Sequence, residues 1–350
     1  MIICTFAFQY YLKQGMKIAI VGATGLVGSV MLKVLNEGKY IPITSIDAVI
    51  PVASEKSIGN GVSFKNATIK VVSIADALSA KPDIALFSAG AEVSKEFARK
   101  FTNIGCVVID NSSAWRMDKD IPLVVPEVNG SVVTASDRLI ANPNCSTIQM
   151  VAALAPLHTN YRIKRLVVST YQSVTGTGAK ALRQLNDERQ GISGMKVYPH
   201  PIDLNVFPHG GTFLPDGYTT EEVKLVNETR KIMGDDSLAI TATVVRVPVT
   251  GGHSEALNVE FYSPFMIEDV VATLTKVPGL ILQDDVERAV YPMPKYTEGR
   301  DEVFIGRIRR DNSVENGLNM WVVADNLRKG AAVNAVQIAA MMIEKEFVKV

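Results

Sequence analysis

Residues 17–37 read KIAIVGATGLVGSVMLKVLNE, in which a glycine-rich turn joins two apolar stretches. The run at 17–22 is short and continuous, which predicts a buried strand, and residues 26–37 carry apolar side chains at helical spacing. Further apolar runs predict strands at 44–50, 83–88, 106–110 and 122–125, with a helical pattern at 91–101 among them. Strands that alternate with helices favour an α/β fold with a doubly wound parallel sheet covered on both faces. We place this domain at residues 16–143.

The second half of the chain has a different pattern. After a helix predicted at 147–157, the apolar runs become longer and richer in β-branched residues, at 163–172, 240–249, 256–263 and 317–324. Such runs favour a large mixed or antiparallel sheet, so we expect an α+β domain over residues 144–329. Prolines and glycines predict an irregular segment at 194–218. A helix predicted at 330–346 is apolar on one side, and we expect the segment 330–350 to pack back on the first domain.

The composition argues against several classes of protein. Of the 350 residues, 36 are lysine or arginine and 36 are aspartate or glutamate, so charge gives no reason to expect nucleic acid or an anionic membrane as a partner. The 3 cysteines are odd in number and scattered, which suits a reducing cytoplasm. The 4 histidines show no HxxxH spacing and no CxxC occurs, so we predict no metal site.

The first residues, 1–15, read MIICTFAFQYYLKQG and are treated separately. They are apolar, but they lack the basic leader and cleavage site of a signal peptide and the length of a membrane span. Met16 stands directly before the first predicted strand. We therefore hypothesise that translation starts at Met16 and that residues 1–15 are an extension absent from the native protein, whose intact mass tests the idea.

The turn between the first strand and the first helix contains Gly22, Gly25 and Gly28, in GxxGxxG spacing. Glycine permits a tight turn and lets backbone amides approach a pyrophosphate at a helix N-terminus, so this turn predicts a dinucleotide site. A glycine-rich turn that binds nothing is the alternative.

The end of the second predicted strand bears on which nicotinamide cofactor binds. An NAD site places an acidic residue there, but Asp47 lies inside the strand. Lys56 and Ser57 follow the strand and could hold the 2′-phosphate of NADP, although Glu55 between the strand and Lys56 would repel it. These residues favour NADP.

The stretch ANPNCSTIQMV, residues 141–151, places Cys145 where a predicted helix begins. Backbone amides at a helix N-terminus stabilise a thiolate and lower the pKa of a cysteine, so Cys145 is a candidate nucleophile. Asn144 adds a polar neighbour, and Ser146 and Thr147 are expected to cap the helix. The alternative is a buried cysteine that acts as a small apolar residue, a description that fits Cys106 in its apolar run.

A cysteine nucleophile needs a proton carrier. His253 lies on a glycine turn between two predicted strands, whereas the other histidines lie at a helix end or in the irregular segment. Because the pKa of histidine lies near working pH, we predict His253 as the acid/base. Arg246 lies in an otherwise apolar strand, where its burial requires an anion: either a substrate carboxylate or a structural ion-pair partner.

Several motifs together resemble one family. They are GATGLVG, DNSSAWR, VVPEVN, NPNCSTIQM, STYQSVTGTG, VVRVPVTGGHSE and WVVADNLRKGAA, and they resemble aspartate-β-semialdehyde dehydrogenases in order and spacing from Met16 to Val350. The resemblance implies a Rossmann-type N-terminal domain and a C-terminal catalytic and dimerisation domain. It implies reversible, NADP-dependent reductive dephosphorylation of L-aspartyl 4-phosphate to L-aspartate 4-semialdehyde through a cysteine acyl-thioester, in the biosynthesis of lysine, diaminopimelate, methionine and threonine. It also implies a homodimer, or a tetramer of dimers, formed through the second domain.

The resemblance implies roles in catalysis and substrate binding. Cys145 matches the acyl-thioester nucleophile, His253 the acid/base and Gln172 the residue that orients the substrate beside the cysteine. Arg246 is similar to the arginine that grips the substrate's α-carboxylate, and Glu221 resembles the carboxylate that receives its amine. The expected substrate-binding set is Arg246, Glu221, Gln172 and Asn144.

Further roles concern phosphate and the cofactor. Arg116 and Lys224 resemble a phosphate-binding pair. The expected cofactor contacts are Gly22, Thr24, Gly25, Leu26, Val27, Lys56, Ser57, Thr175, Gly176 and Asn326. At two of the nearby positions the chain departs from the family, which often has arginine at Lys56 and usually a neutral residue at Glu55.

Two other functions are open to a chain with these features. N-acetyl-γ-glutamyl-phosphate reductases share the fold and the thioester chemistry, but they tend to follow the cysteine with an aromatic residue and a proline, and NCSTIQM has neither. A dinucleotide-binding paralogue without catalysis would be expected to lack the cysteine or the histidine, and Cys145 and His253 are both present.

Overall fold

A computed structural model describes residues 15–348 of the chain. These residues form two compact units. One comprises the described residues up to Pro143 together with those from Ala331 onward, and the other is Asn144–Gly330. Apart from Gly15, the segment in the start-site hypothesis lies outside the described residues.

The first unit contains the parallel sheet. Up to Pro143 its elements are β1 (Met16–Val21), α1 (Leu26–Glu37), β2 (Ile46–Val52), β3 (Gly61–Phe64), β4 (Ala67–Lys70), α2 (Ile74–Ser79), β5 (Ile84–Phe87), α3 (Ala91–Asn103), β6 (Val107–Asp110), α4 (Pro126–Asn129) and β7 (Leu139–Ala141). Five of the strands form a sheet of order β2-β1-β5-β6-β7 in which every neighbouring pair is parallel. The predicted doubly wound parallel sheet is confirmed. A separate hairpin of β3 and β4 was not predicted.

The strand, turn and helix that open this unit form for local reasons. β1 pairs with β2 on one side and β5 on the other, and its side chains from Ile18 to Val21 are all buried, as in a strand covered on both faces. α1 buries Met31 and Leu35 in the same core and ends at Gly38, whose φ of 67° is the left-handed conformation that glycine adopts readily. This prediction therefore matched both the type and the bounds of the elements closely.

Residues 122–125 do not form the predicted strand. Leu123 makes one isolated bridge to Ala141, and the chain then enters α4 at Pro126. The run is apolar because it is buried, with Leu123 and Val124 at most 1% exposed. Pro122 and Pro126 bound the run, and each lacks the backbone N–H that a longer ladder would need.

The second unit contains a large mixed sheet. Its elements are α5 (Cys145–Tyr161), β8 (Ile163–Gln172), α6 (Ala179–Arg189), α7 (Thr220–Met233), β9 (Ala239–Arg246), β10 (His253–Phe261), α8 (Ile267–Thr275), β11 (Leu280–Leu282), α9 (Pro294–Thr297), β12 (Val303–Asp311) and β13 (Gly317–Ala324). The six-stranded sheet has the order β11-β12-β13-β10-β8-β9. β8 is parallel to β9 and β11 to β12, and the other pairs are antiparallel. The predicted mixed sheet is confirmed.

Helices cover one face of this sheet. α5 buries Leu154 and Leu157 among the inward side chains of β8, β10 and β13, and α7 and α8 add Leu225 and Val270 to the same core. Between α6 and α7 the chain forms no helix or regular strand, as predicted for residues 194–218. Because β8 is parallel to β9 and antiparallel to β10, the carboxyl ends of β8 and β9 and the start of β10 lie at one edge of the sheet.

The end of the chain adds a helix to the first unit. A π-helical stretch at Arg328–Val333 leads into α10 (Asn334–Glu344). Val336, Ile338 and Met342 of this helix lie in the same buried cluster as the side chains of α1 and the parallel strands. None of the helices in residues 15–348 has the length and apolarity that crossing a membrane would require.

Candidate active site

The glycine turn of the first unit is closely packed. Gly22 has a φ of +96°, and a Cβ there would lie 2.5 Å from the carbonyl oxygen of Ser88. A Cβ on Gly28 would lie 2.1 Å from the carbonyl oxygen of Gly22, so neither position accepts a side chain without movement of backbone. Gly25 is the N-cap of α1 and provides no side-chain cap for its amides. The turn thus offers uncapped backbone donors at a helix N-terminus, the arrangement that suits a phosphate.

Thr24, Gly25, Leu26 and Val27 are at least partly accessible within this turn, whereas Gly28 is buried. The turn is attached to the end of β2, because the amides of Gly22 and Ala23 donate to the carbonyl oxygen of Val52 at 2.8 and 3.0 Å. Cofactor-binding side chains would therefore be expected just after Val52, beside the glycines.

The residues after β2 form a short 3₁₀ helix, Glu55–Ser57. Lys56 and Glu55 are exposed and Ser57 is half-buried. Asp47 is the second residue of β2, at the opposite end of the strand from Val52. It therefore lies away from the strand end at which an acidic residue would bind the ribose of NAD, as the sequence indicated. Chemically, Lys56 and Ser57 fit a 2′-phosphate, and the carboxylate of Glu55 opposes one.

Arg116 lies in the loop after β6 and is only 7% exposed. Its Nη2 donates to the carbonyl oxygen of Asn111 at 2.9 Å. Asn111 is held in turn, because its side-chain oxygen accepts from Asn142 Nδ2 at 2.6 Å. Asp110 at the end of β6 accepts from the amide and hydroxyl of Ser112 at 3.0 and 2.6 Å, and burial raises the pKa of this carboxyl against those hydrogen bonds.

Cys145 is the first residue of α5, as predicted, and it is half-buried rather than enclosed. Asn144 caps this helix: its Oδ1 accepts from the amides of Ser146 and Thr147 at 2.9 and 3.4 Å. The expectation that Ser146 and Thr147 cap the helix is wrong, because they donate to the cap from the first turn. A Cβ on Gly330 would lie 2.9 Å from Cys145 Cβ, so the backbone at Gly330 passes directly over the cysteine.

Cys106 provides the contrast expected from the sequence. It is fully buried, and desolvation, together with the nearby Asp83 carboxylate, raises the pKa of its thiol. Cys106 therefore behaves as a small apolar residue, as predicted, and stays protonated.

Three predicted side chains meet at the edge of the mixed sheet. Gln172 ends β8, Arg246 ends β9 and is paired with it in register, and His253 begins β10. The side chain of Gln172 donates from Nε2 to Ser146 Oγ at 3.1 Å, which ties it to the first turn of α5. A Cβ on Gly176 would lie 2.9 Å from His253 Nε2 and 3.0 Å from Arg246 Nη1. The imidazole and the guanidinium therefore both face this glycine.

His253 is completely buried, and its ring is held by the main chain. The amide of Ser173 donates to Nδ1 at 3.0 Å, which leaves the single proton of a neutral ring on Nε2. Burial and the nearby charge of Arg246 lower the pKa of His253 to about 3, with the Glu221 carboxylate and a Gly252 hydrogen bond opposing them. The expectation of a pKa near working pH is wrong, because burial and a cation penalise the imidazolium.

Arg246 is 6% exposed, and its Nη1 donates to the carbonyl oxygen of Ser173 at 3.3 Å. No carboxylate of the described residues forms an ion pair with it, although Glu221 acts on it from a longer range. Two anions were considered as partners of Arg246. A structural ion-pair partner is lacking in residues 15–348, and its absence there favours the carboxylate of the substrate.

Glu221 and Lys224, both on α7, contact each other. Lys224 Nζ lies 3.0 Å from Glu221 Oε2, and Asn144 Nδ2 donates to Glu221 Oε1 at 2.5 Å. Burial raises the pKa of Glu221, but Lys224, Arg246 and Asn144 together outweigh it and hold the pKa below its usual value. Glu221 is therefore an anion beside Asn144, able to receive an amine, while Lys224 already has a carboxylate partner.

Thr175 and Asn326, both expected to contact the cofactor, touch each other: Thr175 Oγ1 donates to Asn326 Oδ1 at 3.0 Å. Three other groups in this unit, namely Ser173, Gln149 and Glu255, were not predicted from the sequence. Gln149 Nε2 donates to the carbonyl oxygen of His253 at 3.3 Å, and Glu255 is fully buried two residues after His253. A signal for Glu255 exists, because it occupies an inward position in the alternation of HSEALNVEF, but the predicted strand began one residue too late to include it.

Comparison with known proteins identifies the family. The model for the semialdehyde dehydrogenase NAD binding domain matches residues 17–136, and that for the semialdehyde dehydrogenase dimerisation domain matches residues 154–329. The aspartate-semialdehyde dehydrogenase of Aquifex aeolicus is 50% identical over 341 residues, which are 95% of this chain and 99% of that protein. The chain belongs to the aspartate-semialdehyde dehydrogenase family.

Other members of the aspartate-semialdehyde dehydrogenase family agree. The protein of Legionella pneumophila is 48% identical over 96% of this chain and 98% of its own length. Aspartate semialdehyde dehydrogenase II of Vibrio cholerae, solved in complex with ASA, is 42% identical with a TM-score of 0.89, over 95% of this chain and 99% of that one. The family predicted from the motifs is confirmed, and the chain is an enzyme, an oxidoreductase with a nicotinamide-dinucleotide domain.

Proposed function

We propose that this member of the aspartate-semialdehyde dehydrogenase family catalyses the reversible, NADP-dependent conversion of L-aspartyl 4-phosphate to L-aspartate 4-semialdehyde and inorganic phosphate. One observation carries the proposal: a half-buried cysteine at a helix N-terminus is linked through Ser146 to Gln172, at the sheet edge where Arg246 and His253 also lie. The Vibrio cholerae relative, crystallised with ASA, supports the substrate class.

Cys145 is proposed as the nucleophile. Its sulfur forms a bond to the acyl carbon of the substrate, the bond from that carbon to the phosphate oxygen breaks, and phosphate leaves with the electron pair. The dipole of α5, whose positive end lies at Cys145, favours a thiolate at this position. Gln172, held by Ser146, orients the acyl group beside the sulfur.

Arg246 and Glu221 are proposed to hold the amino-acid end of the substrate. A guanidinium binds a carboxylate through two parallel hydrogen bonds, and Arg246 has no such partner among the described residues. Glu221 is an anion held by Asn144 and Lys224, so it can receive the α-amine. Opposite charges separated in this way recognise an α-amino acid and discriminate against an N-acylated substrate, which has no ammonium group.

His253 is proposed to act as a neutral hydrogen-bond donor. With Nδ1 occupied by the Ser173 amide, the ring presents Nε2–H, and no described residue accepts from it. Nε2–H can stabilise the negative charge that develops on the substrate oxygen when sulfur adds and when the adduct later collapses. In the collapse the carbon–sulfur bond breaks, its electron pair returns to Cys145, and His253 keeps its proton throughout.

The cofactor proposed is NADP, held by the glycine turn with Lys56 and Ser57 beside it. At Gly22 and Gly28 a Cβ would meet the backbone of Ser88 and of Gly22, so the strand, the turn and the helix pack closely there, as the glycines of a dinucleotide-binding turn allow. When bound, the nicotinamide donates or accepts the hydride. The carboxylate of Glu55 repels the 2′-phosphate and so weakens the preference for NADP over NAD. We therefore expect the enzyme to use NAD as well, at a lower rate.

Phosphate binding is proposed for Arg116 and Lys224, which belong to different units. Arg116 is held to the main chain of Asn111, and Lys224 would have to exchange its Glu221 contact, at least in part, for phosphate. Their joint action on one phosphate group remains a prediction.

A homodimer formed through the second unit is also proposed, with a tetramer of dimers as the larger possibility. The matched family model is a dimerisation domain, and the face of the mixed sheet opposite its helices carries accessible aromatic side chains. Tyr171 on β8 and Trp321 on β13, the two strands that flank β10, lie with ring centroids 5.4 Å apart. We also propose cytoplasmic action in the biosynthesis of lysine, diaminopimelate, methionine and threonine.

The experiment is oxidation of L-aspartate 4-semialdehyde by the purified full-length chain, followed as the appearance of reduced nicotinamide. Activity should require phosphate, should be faster with NADP than with NAD, and should be much slower with N-acetyl-L-glutamate 5-semialdehyde. Equal or faster turnover of the N-acetylated aldehyde would contradict the proposed substrate. Turnover that does not depend on phosphate would contradict the acyl-phosphate chemistry.

A further inference from the structure

One buried acid in the second unit has no part in the mechanism above. The inward face of β10 runs His253, Glu255, Leu257, Val259 and Phe261, all of them buried. From Leu257 onward these side chains belong to the apolar core. Glu255 thus marks the boundary at which the core ends and the polar site begins, and it is 0% exposed.

The groups that face Glu255 are uncharged. Ser146 and Gln149 face it from α5, and its cross-strand neighbours are Thr170 on β8 and Val322 on β13. Neither carboxyl oxygen makes a hydrogen bond of standard geometry with any described residue. Burial raises the pKa of Glu255 well above its usual value, and the side chains of Gln149 and Ser146 oppose this rise. A carboxyl in such a place favours its protonated form, because a buried charge without a partner is costly.

The two polar neighbours of Glu255 each hold a different part of the site. Ser146 Oγ accepts the hydrogen bond from Gln172 Nε2 at 3.1 Å, so its own proton is available to another acceptor. Gln149 Nε2 donates to the carbonyl oxygen of His253 at 3.3 Å, and Gln149 Oε1 has no hydrogen-bond partner among the described residues. A protonated carboxyl has one donor and one acceptor, which match Gln149 Oε1 and the Ser146 hydroxyl.

We propose that Glu255 is a positioning residue of this active site: through Ser146 it orients the amide of Gln172, and through Gln149 it holds the main chain at His253. This inference rests on the proposed function, because it assigns Glu255 to the residues that serve that reaction. A carboxylate would offer acceptors only and would leave Gln149 Oε1 without a donor. An apolar side chain would offer neither and would leave both links unsupported.

The test compares Glu255→Leu with Glu255→Gln in the full-length enzyme. Leucine of similar size fills the space, so the melting temperature should stay the same or rise, because replacing a buried polar group by an apolar one is often neutral or stabilising. The kcat should nevertheless fall about 10- to 100-fold, as expected when a reacting group is misplaced by a fraction of an ångström to 1 Å. Glutamine has one donor end and one acceptor end and should retain most of the kcat.

The pH dependence of stability provides a second measurement. Because burial raises the pKa of Glu255 above its unfolded value of 4.5, its contribution to stability is fully present below pH 4.5 and declines as the pH rises. Glu255→Gln lacks this decline. The melting temperature of Glu255→Gln relative to the wild type should therefore increase steadily with pH above 4.5.

Glu222→Gln is the matched control, since Glu222 is another buried acid of the second unit. Its carboxylate accepts from the amides of Thr219 and Val244 at 2.7 and 3.0 Å and supports the start of α7. This substitution should lower the melting temperature and leave kcat and KM close to those of the wild type. It thereby separates loss of a buried acid in general from loss of Glu255.

A second route avoids dependence on the folding of Glu255→Leu. Ser146→Ala cuts the link to Gln172 directly, and its kinetic loss should be largely shared with that of Glu255→Leu, so the double variant should lose less than the product of the two. Wild-type kinetics in Glu255→Leu, equal losses in Glu255→Leu and Glu255→Gln, or strictly multiplicative losses in the double variant would each overturn the inference. Failure of the wild type to oxidise L-aspartate 4-semialdehyde would instead overturn the proposed function.

Discussion

The two turns that lead into α1 and α5 prepare their helix N-termini in opposite ways. Before α1, the cap is Gly25, and the amides of the first turn have no side-chain cap. Before α5, the cap is Asn144, which also donates from its side chain to Glu221 and from its backbone to Glu228. The first turn offers bare backbone to a ligand, and the second surrounds a nucleophile with side chains.

The two turns also differ in how far apart along the chain the residues that form each site lie. The glycine turn is made of residues 22–28 and the end of the adjacent strand. The partners of Asn144 are 77 and 84 residues away, on α7. A site built from backbone is encoded locally, whereas a site built from side chains depends on how distant elements pack. Substitutions at the two turns should therefore fail differently.

The largest effect is expected at Cys145. Cys145→Ala removes the atom that forms the acyl bond, so turnover should fall at least about 10⁴-fold, while binding of NADP should be nearly unchanged. The measurements are phosphate-dependent oxidation of the aldehyde and titration of NADP by fluorescence. Cys106→Ala is the control and should keep full kcat; comparable activity in Cys145→Ala would contradict the covalent route.

The next effect is expected at His253. Removal of one oxyanion donor by His253→Ala should lower kcat about 100- to 1,000-fold, and His253→Gln, which retains a neutral N–H donor, should lose less. A general acid/base would be lost equally in both variants. Equal losses would therefore restore the acid/base assignment and contradict the neutral-donor role.

The same residue makes a prediction about acid stability. The pKa of His253 is about 3 in the folded chain against 6.5 as the ordinary value, so the folded state binds fewer protons between these limits. The contribution of the neutral His253 ring to the stability of the folded state is fully present above pH 6.5 and is lost as the pH falls toward 3. Between pH 7 and pH 5 the melting temperature of His253→Gln should fall less than that of the wild type, and an equal fall in both would contradict the low pKa.

A smaller effect on chemistry, but a clear one on binding, is expected at the glycine turn. Gly28→Ala places a methyl group 2.1 Å from the Gly22 carbonyl oxygen, so the turn must move, with a cost of about 1–3 kcal/mol in the free energy of unfolding. The Kd of NADP should rise, while alkylation of Cys145 by iodoacetamide should proceed at the wild-type rate. Gly59→Ala, at a position with open space but a φ of +85°, controls for strain alone.

The smallest effect on stability is expected at the cap of α5. Asn144→Ala removes the hydrogen bonds to Ser146 and Thr147 and should cost about 1 kcal/mol in the free energy of unfolding. It also removes one partner of Glu221, so KM for the aldehyde should rise more than kcat falls. Asn144→Asp keeps the cap but faces two carboxylates; if its KM equalled that of the wild type, the proposed role of Glu221 would be contradicted.

The same contrast explains what could be predicted from the sequence. β1, the glycine turn and α1 were predicted almost residue by residue, because alternation, spacing and glycine chemistry are local. Cys145, His253, Gln172 and Arg246 were proposed from motifs, and the structure brings the last three to one edge of a sheet. Why they meet could not be read from spacing, since sheet order is set by long-range pairing.

The errors have physical causes of the same kind. The pKa of His253 depends on burial and on Arg246, neither of which a sequence states. The apolar run at 122–125 is buried without being a strand, because hydrophobicity predicts burial rather than hydrogen bonding. Glu255 was missed because its importance comes from neighbours on another element, Ser146 and Gln149.

Gly176 sets a limit on chemical diversity at this edge of the sheet. A methyl group there would approach His253 Nε2 to 2.9 Å and Arg246 Nη1 to 3.0 Å, so a single added carbon touches both the oxygen-stabilising donor and the carboxylate-binding cation. For inhibitor chemistry, this means that one group placed beside Gly176 would contact both side chains. A resistance mutation at Gly176 that excludes an inhibitor would, by the same contact, disable the enzyme.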